Sequence, residues 1–137
     1  MIYSLVYISD AVDGLDDKDL EGILFSSRKN NAAVAVTGML LSKGGEFMQV
    51  LEGDEAAVER LYRKISADPR HENCTVLSRK MNPERLFADW TMGFKNLENA
   101  VLLEQEGVSS FFDIEVCTDD FLQSATAYNL LIRFYAE

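Results

Sequence analysis

Two strand-like runs, Val34 to Ser42 and Glu46 to Glu52, are separated only by Lys43-Gly44-Gly45. A gap that short and glycine-rich turns the chain back on itself, so the two runs pair antiparallel. Whatever surrounds this hairpin must pack on a sheet. Ahead of it, Ile2 to Ser9 is rich in β-branched and aromatic residues and reads as a first strand, with Leu5, Tyr7 and Ser9 on one face and Ser4, Val6 and Ile8 on the other. Asp13-Gly14 makes a turn, and Asp16 caps a helix in which Leu20, Ile23, Leu24 and Ser27 recur at helical spacing. Its end falls at Arg28-Lys29-Asn30-Asn31.

After the hairpin, Gly53-Asp54-Glu55 opens a second helix with Val58, Leu61, Tyr62 and Ile65 as its apolar stripe, stopped by Asp68-Pro69. Asn73 to Met81 is a fourth strand and Trp90 to Leu97 a short fifth. The order βαββαββ predicts an α+β sandwich of the ferredoxin-like sort, with two helices on one sheet face and a C-terminal helical extension. That extension, from Asn99 onward, reads as two helical pieces, the second starting near Thr118 and carrying Phe121, Leu122, Ala125, Tyr128, Leu131, Ile132 and Tyr135 as a stripe. The sheet face of Val6 and Ile8 lacks a helix, so the tail or a second protomer is expected to cover it.

The 137 residues, 47% of them apolar, suffice for one core but not for two large domains. A formal charge of -10 opposes nucleic-acid backbones and anionic membrane surfaces, so any anionic ligand needs a local basic patch. Cys74 and Cys117 are far apart and read as core filler in a reducing cytosol; no basic leader precedes the first strand and no apolar run is long enough for a membrane span, so a cytoplasmic location is expected. His71 is the only histidine, which leaves little from which to build a metal site or a nucleophilic triad. The acidic pairs Asp16-Asp17 and Asp119-Asp120 fall at helix starts, where capping explains them.

The residue that breaks the pattern is Gln49. In Phe47-Met48-Gln49-Val50-Leu51 it shares a face with Phe47 and Leu51, where an apolar side chain belongs and an amide needs partners. Tyr7 and Asn31 fall on the same helix-covered side. The three are either polar groups satisfied within the core or the ring of donors and acceptors around the edge of a planar heteroaromatic ligand.

The ordered set Ser27-x-x-Asn30-Asn31-x5-Thr37-Gly38, Phe47-x-Gln49-x-Leu51-Glu52-Gly53, Asp68-Pro69-Arg70-His71 and Phe87-x-x-Trp90-x-Met92 resembles the BLUF family of flavin-binding blue-light sensors from about Ile2 to Gly93. The resemblance implies a flavin-binding domain over 1–97 and an extension over 98–137 that packs on the sheet or on a partner. It implies that Asn31 and Gln49 bond the flavin ring, that Tyr7 is the phenol beside Gln49, and that Ser27, Asn30, Asp68, Arg70 and His71 line the pocket. Lys29 and Lys64 would meet the phosphates of FAD, with FMN or riboflavin as the other candidate flavins, and Ile23, Leu24 and Ile65 would supply the apolar wall. Arg28 and Arg70 complete the basic patch.

The mechanism so implied is electron transfer from Tyr7 to the excited flavin with a proton relayed through Gln49, leaving a rearranged hydrogen-bond network. Trp90 and Met92 would pass the change on. The expected protein is therefore a photosensor and not an enzyme, a homo-oligomer that signals to a separate effector protein, because no cyclase, phosphodiesterase or DNA-binding segment fits after Gly93. The alternatives are a light-insensitive ferredoxin-like module that binds a ligand or protein, and a flavin-dependent reductase, for which no glycine-rich nucleotide fingerprint is present.

Overall fold

The computed structural model describes residues 1–43, 45–88 and 91–96, and of residues 17, 43 and 94–96 only the backbone. In chain order the elements are β1 (Ile2–Ala11), α1 (Asp17–Ala33), β2 (Thr37–Lys43), β3 (Glu46–Gly53), α2 (Glu55–Ser66), β4 (His71–Asn82) and β5 (Gly93–Asn96). The strands form one sheet in the order β4-β1-β3-β2-β5, antiparallel throughout except where β5 runs parallel to β2. This is the ferredoxin-like arrangement expected from the pattern. Trp90, Cys117, the Asp119-Asp120 pair, the tail helices and the division at residue 97 lie outside the described residues.

The hairpin closes with Lys43 opposite Glu46, and Gly45 takes a positive φ of 77° that a side chain would resist. Asp16 caps α1 through a reciprocal pair of bonds with Asp19, each side chain accepting from the other's backbone N–H. The C-terminal end of α1 departs from expectation: Val34 ends the helix and does not begin β2. The Val36 N–H reaches back to the Asn31 carbonyl at 2.9 Å, and the Ala35 N–H to that of Ala32, which satisfies carbonyls the helix leaves open. Ala35 sits at φ 55° to make this closure, a position normally given to glycine, and its absence from the sequence hid the true boundary. The fifth strand likewise starts later than expected, at Gly93.

Both helices bury their stripes on one sheet face. Leu20 and Leu24 of α1 and Val58 and Leu61 of α2 join Tyr3, Leu5, Tyr7, Leu40, Phe47 and Leu51 in a single cluster, with Tyr62, Ile65 and Cys74 packed at its margin. On the opposite face Val6, Met39, Leu41, Met48 and Val50 are buried as well. The β2–β3 contact is unusually close at Gly38, where a Cβ would lie 2.0 Å from the Val50 carbonyl oxygen.

Candidate functional site

Between α1, α2 and the sheet lies a cavity of 370 Å³, within the range of small-molecule sites. The last turns of α1 bring Ser27, Lys29, Asn30 and Asn31 to it, Lys64 and Ile65 come from α2, Asp68 and Arg70 from the following connection, and His71 from the start of β4. Tyr7 and Gln49 form the floor from adjacent strands, directly opposite each other in the β1–β3 register. Ile23 lines the cavity, but Leu24 does not; it turns into the core, 1% exposed. Phe47, expected on the face of Gln49, and Leu61, expected in the stripe of the second helix, line it too, as do Phe25, Ser26 and Leu40, which the sequence pattern does not mark. Strand alternation accounts for Phe47, whereas Phe25 is 70% exposed and carries no periodic signal.

The Gln49 amide is held at both ends. The Tyr7 hydroxyl donates to Gln49 Oε1, and Gln49 Nε2 donates to Met92 Sδ at 3.2 Å. Burial, joined by the nearby Cys74, Tyr62 and Asp68, pushes the Tyr7 phenol well above its ordinary pKa, so it stays a neutral donor. The Tyr62 ring lies 5.2 Å from the Tyr7 ring, tilted at 55°.

Asn31 donates through Nδ2 to the Thr91 carbonyl at 2.6 Å, while its Oδ1 is buried and has no partner. An orphaned acceptor facing a cavity calls for an N–H donor from whatever fills it. Arg28 departs from expectation. It does not line the cavity but donates through Nε to the Met92 carbonyl at 3.1 Å, and burial lowers its pKa. It therefore braces the start of β5 instead of extending a basic patch.

Asp68 and Arg70 form a fork, with Arg70 Nη2 at 2.5 Å from Oδ2 and Nε at 3.0 Å from Oδ1, and the guanidinium holds the carboxyl below its ordinary range. The guanidinium packs close over Gly22, where a Cβ would stand 3.2 Å from Nη1. His71 is tied at both ring nitrogens: its Nε2 lies 2.6 Å from the Ile65 carbonyl and donates to it, and its Nδ1 lies 2.9 Å from Ser9 Oγ. That assignment leaves no carboxylate to drive a Ser9–His71 nucleophile pair. Among the described residues no cluster of histidine, cysteine or carboxylate groups could hold a metal, and no helix is long and apolar enough to cross a membrane.

Residues 2–93 match the family described as BLUF, sensors of blue-light using FAD. The chain belongs to the BLUF family. Over 90 residues it is 38% identical to photoactivated adenylate cyclase subunit beta of Euglena gracilis, covering 65% of this chain but only 10% of that protein. BlrP1 of Klebsiella pneumoniae, solved with FMN and cyclic diGMP, superposes with a TM-score of 0.80 at 28% identity, over the whole of this chain and 35% of BlrP1. The photo-activated state of BlsA gives a TM-score of 0.69 at 29% identity, covering 87% of this chain and 97% of BlsA. A BLUF chain is a blue-light sensor that works through a bound flavin, and the light-insensitive module is not favoured. The cavity suits that group: it offers one orphaned acceptor, a two-ended amide and apolar walls from Ile23, Leu40, Phe47 and Ile65.

Proposed function

We propose that the switch of this BLUF protein is the hydrogen-bonded chain Tyr7–Gln49–Met92, and that its output is light-dependent association with a second protein or a second copy of itself, without substrate turnover. The observation that carries the reading is the Gln49 amide, 2% exposed, bonded to a phenol at its oxygen and to a thioether at its nitrogen. A bound flavin supplies blue-light absorption and a one-electron acceptor. Asn31 and Gln49 would hold its ring, with Ser27, Asn30, Asp68, Arg70 and His71 around it. Lys29 and Lys64 line the same cavity and give a phosphate the positive charge that the chain as a whole lacks, which favours FAD over riboflavin.

Tyr7 is the electron donor nearest the amide. A phenol that loses an electron becomes a strong acid, and the atom in position to take its proton is Gln49 Oε1. Protonated at oxygen, the amide passes to its other tautomer or rotates its two ends, and the return of electron and proton leaves the hydrogen bonds redistributed. Either outcome alters the N–H donor offered to Met92 Sδ, a weak acceptor that holds the contact only lightly. Because Met92 immediately precedes β5, the outermost strand beside β2, the change emerges at a sheet edge where a partner can read it.

Gln49→Leu tests the switch: it should retain flavin and lose the light-induced red shift, and a normal shift in this variant would refute the reading. Gel filtration and pull-downs in light and darkness test the output; unchanged assembly and unchanged bound proteins would refute association.

A further inference from the structure

Glu52 lies three residues along β3 from Gln49, on the opposite face of the sheet, beside Ser4 of β1 and Thr37 of β2. Its carboxylate is fully buried. It accepts from the backbone N–H of Leu86 at 2.9 Å, from that of Phe87 at 2.5 Å, and from the Thr37 hydroxyl at 3.2 Å. Arg85 fastens the same stretch from the other side, donating to Thr37 Oγ1 at 2.9 Å, to the Glu52 carbonyl at 3.1 Å and to the Ala35 carbonyl at 2.8 Å. A carboxylate in such a place is usually avoided; here every oxygen has a donor, and two of the three donors are adjacent backbone N–H groups, those of Leu86 and Phe87.

Five residues beyond Phe87 stands Met92, on which the Gln49 amide closes. Leu86 and Phe87 are thus held at Glu52, which does not line the cavity, and Thr91 and Met92 are held by Asn31 and Gln49, which do, and by Arg28. Only the second attachment includes a contact to the Gln49 amide. The anchor at Leu86 and Phe87 stands six and five residues ahead of the Met92 thioether in the chain.

We propose that Glu52 is a positioning residue for the light switch, holding the Leu86–Phe87 backbone so that Met92 is presented to Gln49. The proposal rests on the reading of Gln49 and Met92 given above. Its test uses the full chain loaded with flavin and labelled at the methionine methyl groups, in wild type and in Glu52→Gln, which keeps the side chain's shape but turns one acceptor into a donor facing a backbone N–H. In the dark, the Met92 methyl resonance should shift or broaden in Glu52→Gln while that of Met81, exposed on β4, stays in place. Thermal recovery after illumination should change by about threefold or more, and that effect should vanish in a Met92→Ala background, the non-additivity expected of residues acting through one another. Where Glu52→Gln does not hold flavin, Thr37→Val, which removes the hydroxyl that donates to Glu52 and accepts from Arg85 but leaves both backbone N–H bonds to the carboxylate, should move the same resonance by less. An unmoved Met92 resonance, or recovery effects that simply multiply, would overturn the proposal. A wild type whose spectrum ignores light would instead overturn the switch itself, and the dark resonance tells the two failures apart.

Discussion

Replacing Tyr7 by Phe keeps the ring and its packing on Tyr62 but removes the hydroxyl that donates to Gln49 Oε1. A buried hydrogen bond contributes about 1 kcal/mol net, and an acceptor left unpaired costs roughly 1–3 kcal/mol more, though part returns because the phenol no longer has to be desolvated. Gln49 is 2% exposed, so water cannot readily replace the lost donor, and a net loss of about 1–2 kcal/mol follows. For 137 residues the unfolding entropy is about 0.3 kcal/mol/K, so Tm should fall by about 3–7 °C. The assay is thermal unfolding of flavin-loaded Tyr7→Phe and wild type at matched flavin concentration, since bound ligand raises Tm by mass action. The same samples should show a flavin spectrum and no red shift under blue light. An unchanged Tm would refute the energetic reasoning, and a normal red shift would refute the role of the phenol.

Three further outcomes follow from the geometry. Gly38→Ala places a Cβ against the Val50 carbonyl and should destabilise the protein by about 2–3 kcal/mol, read in chemical denaturation; a neutral substitution would mean β2 and β3 separate easily. Ala35→Gly relieves a positive φ at the α1 terminus and should stabilise by roughly 0.5–1 kcal/mol, whereas a loss would show that the closure tolerates alanine without strain. Asp68 has its folded pKa lowered by Arg70, so its contribution is complete above the ordinary value of 3.8 and fades as pH falls below it toward the lowered value. Asp68→Asn should therefore flatten the stability profile in that acid range and leave its slope near neutrality unchanged; an unaltered acid limb would contradict the fork.

The elements were legible because their signals are local: Asp16 and Asp54 at helix starts, apolar stripes on both helices, and a short glycine-rich gap between β2 and β3. What the sequence concealed were contacts made across the fold. The end of α1 is closed by an alanine in a glycine's conformation, so Val34 looked like strand. Arg28 looked like part of an anion site because a helix-end arginine usually faces water, but its partner is a carbonyl 64 positions away. Glu52 ends the second strand-like run, and only the approach of Leu86 and Phe87 shows why a carboxylate is buried there. Gln49 could be singled out from alternation alone, yet its tie to Met92 depends on the parallel pairing of β5 with β2, which no periodicity encodes.

The central claim is that light rearranges the partners of a buried amide beside a flavin. The direct measurement is the visible absorption spectrum of the flavin-loaded protein in the dark, immediately after blue light, and during return to darkness. The account predicts a flavin spectrum whose bands move slightly to the red and relax back without loss of intensity. Bands that stay in place under illumination, or bleach without recovering, would contradict it.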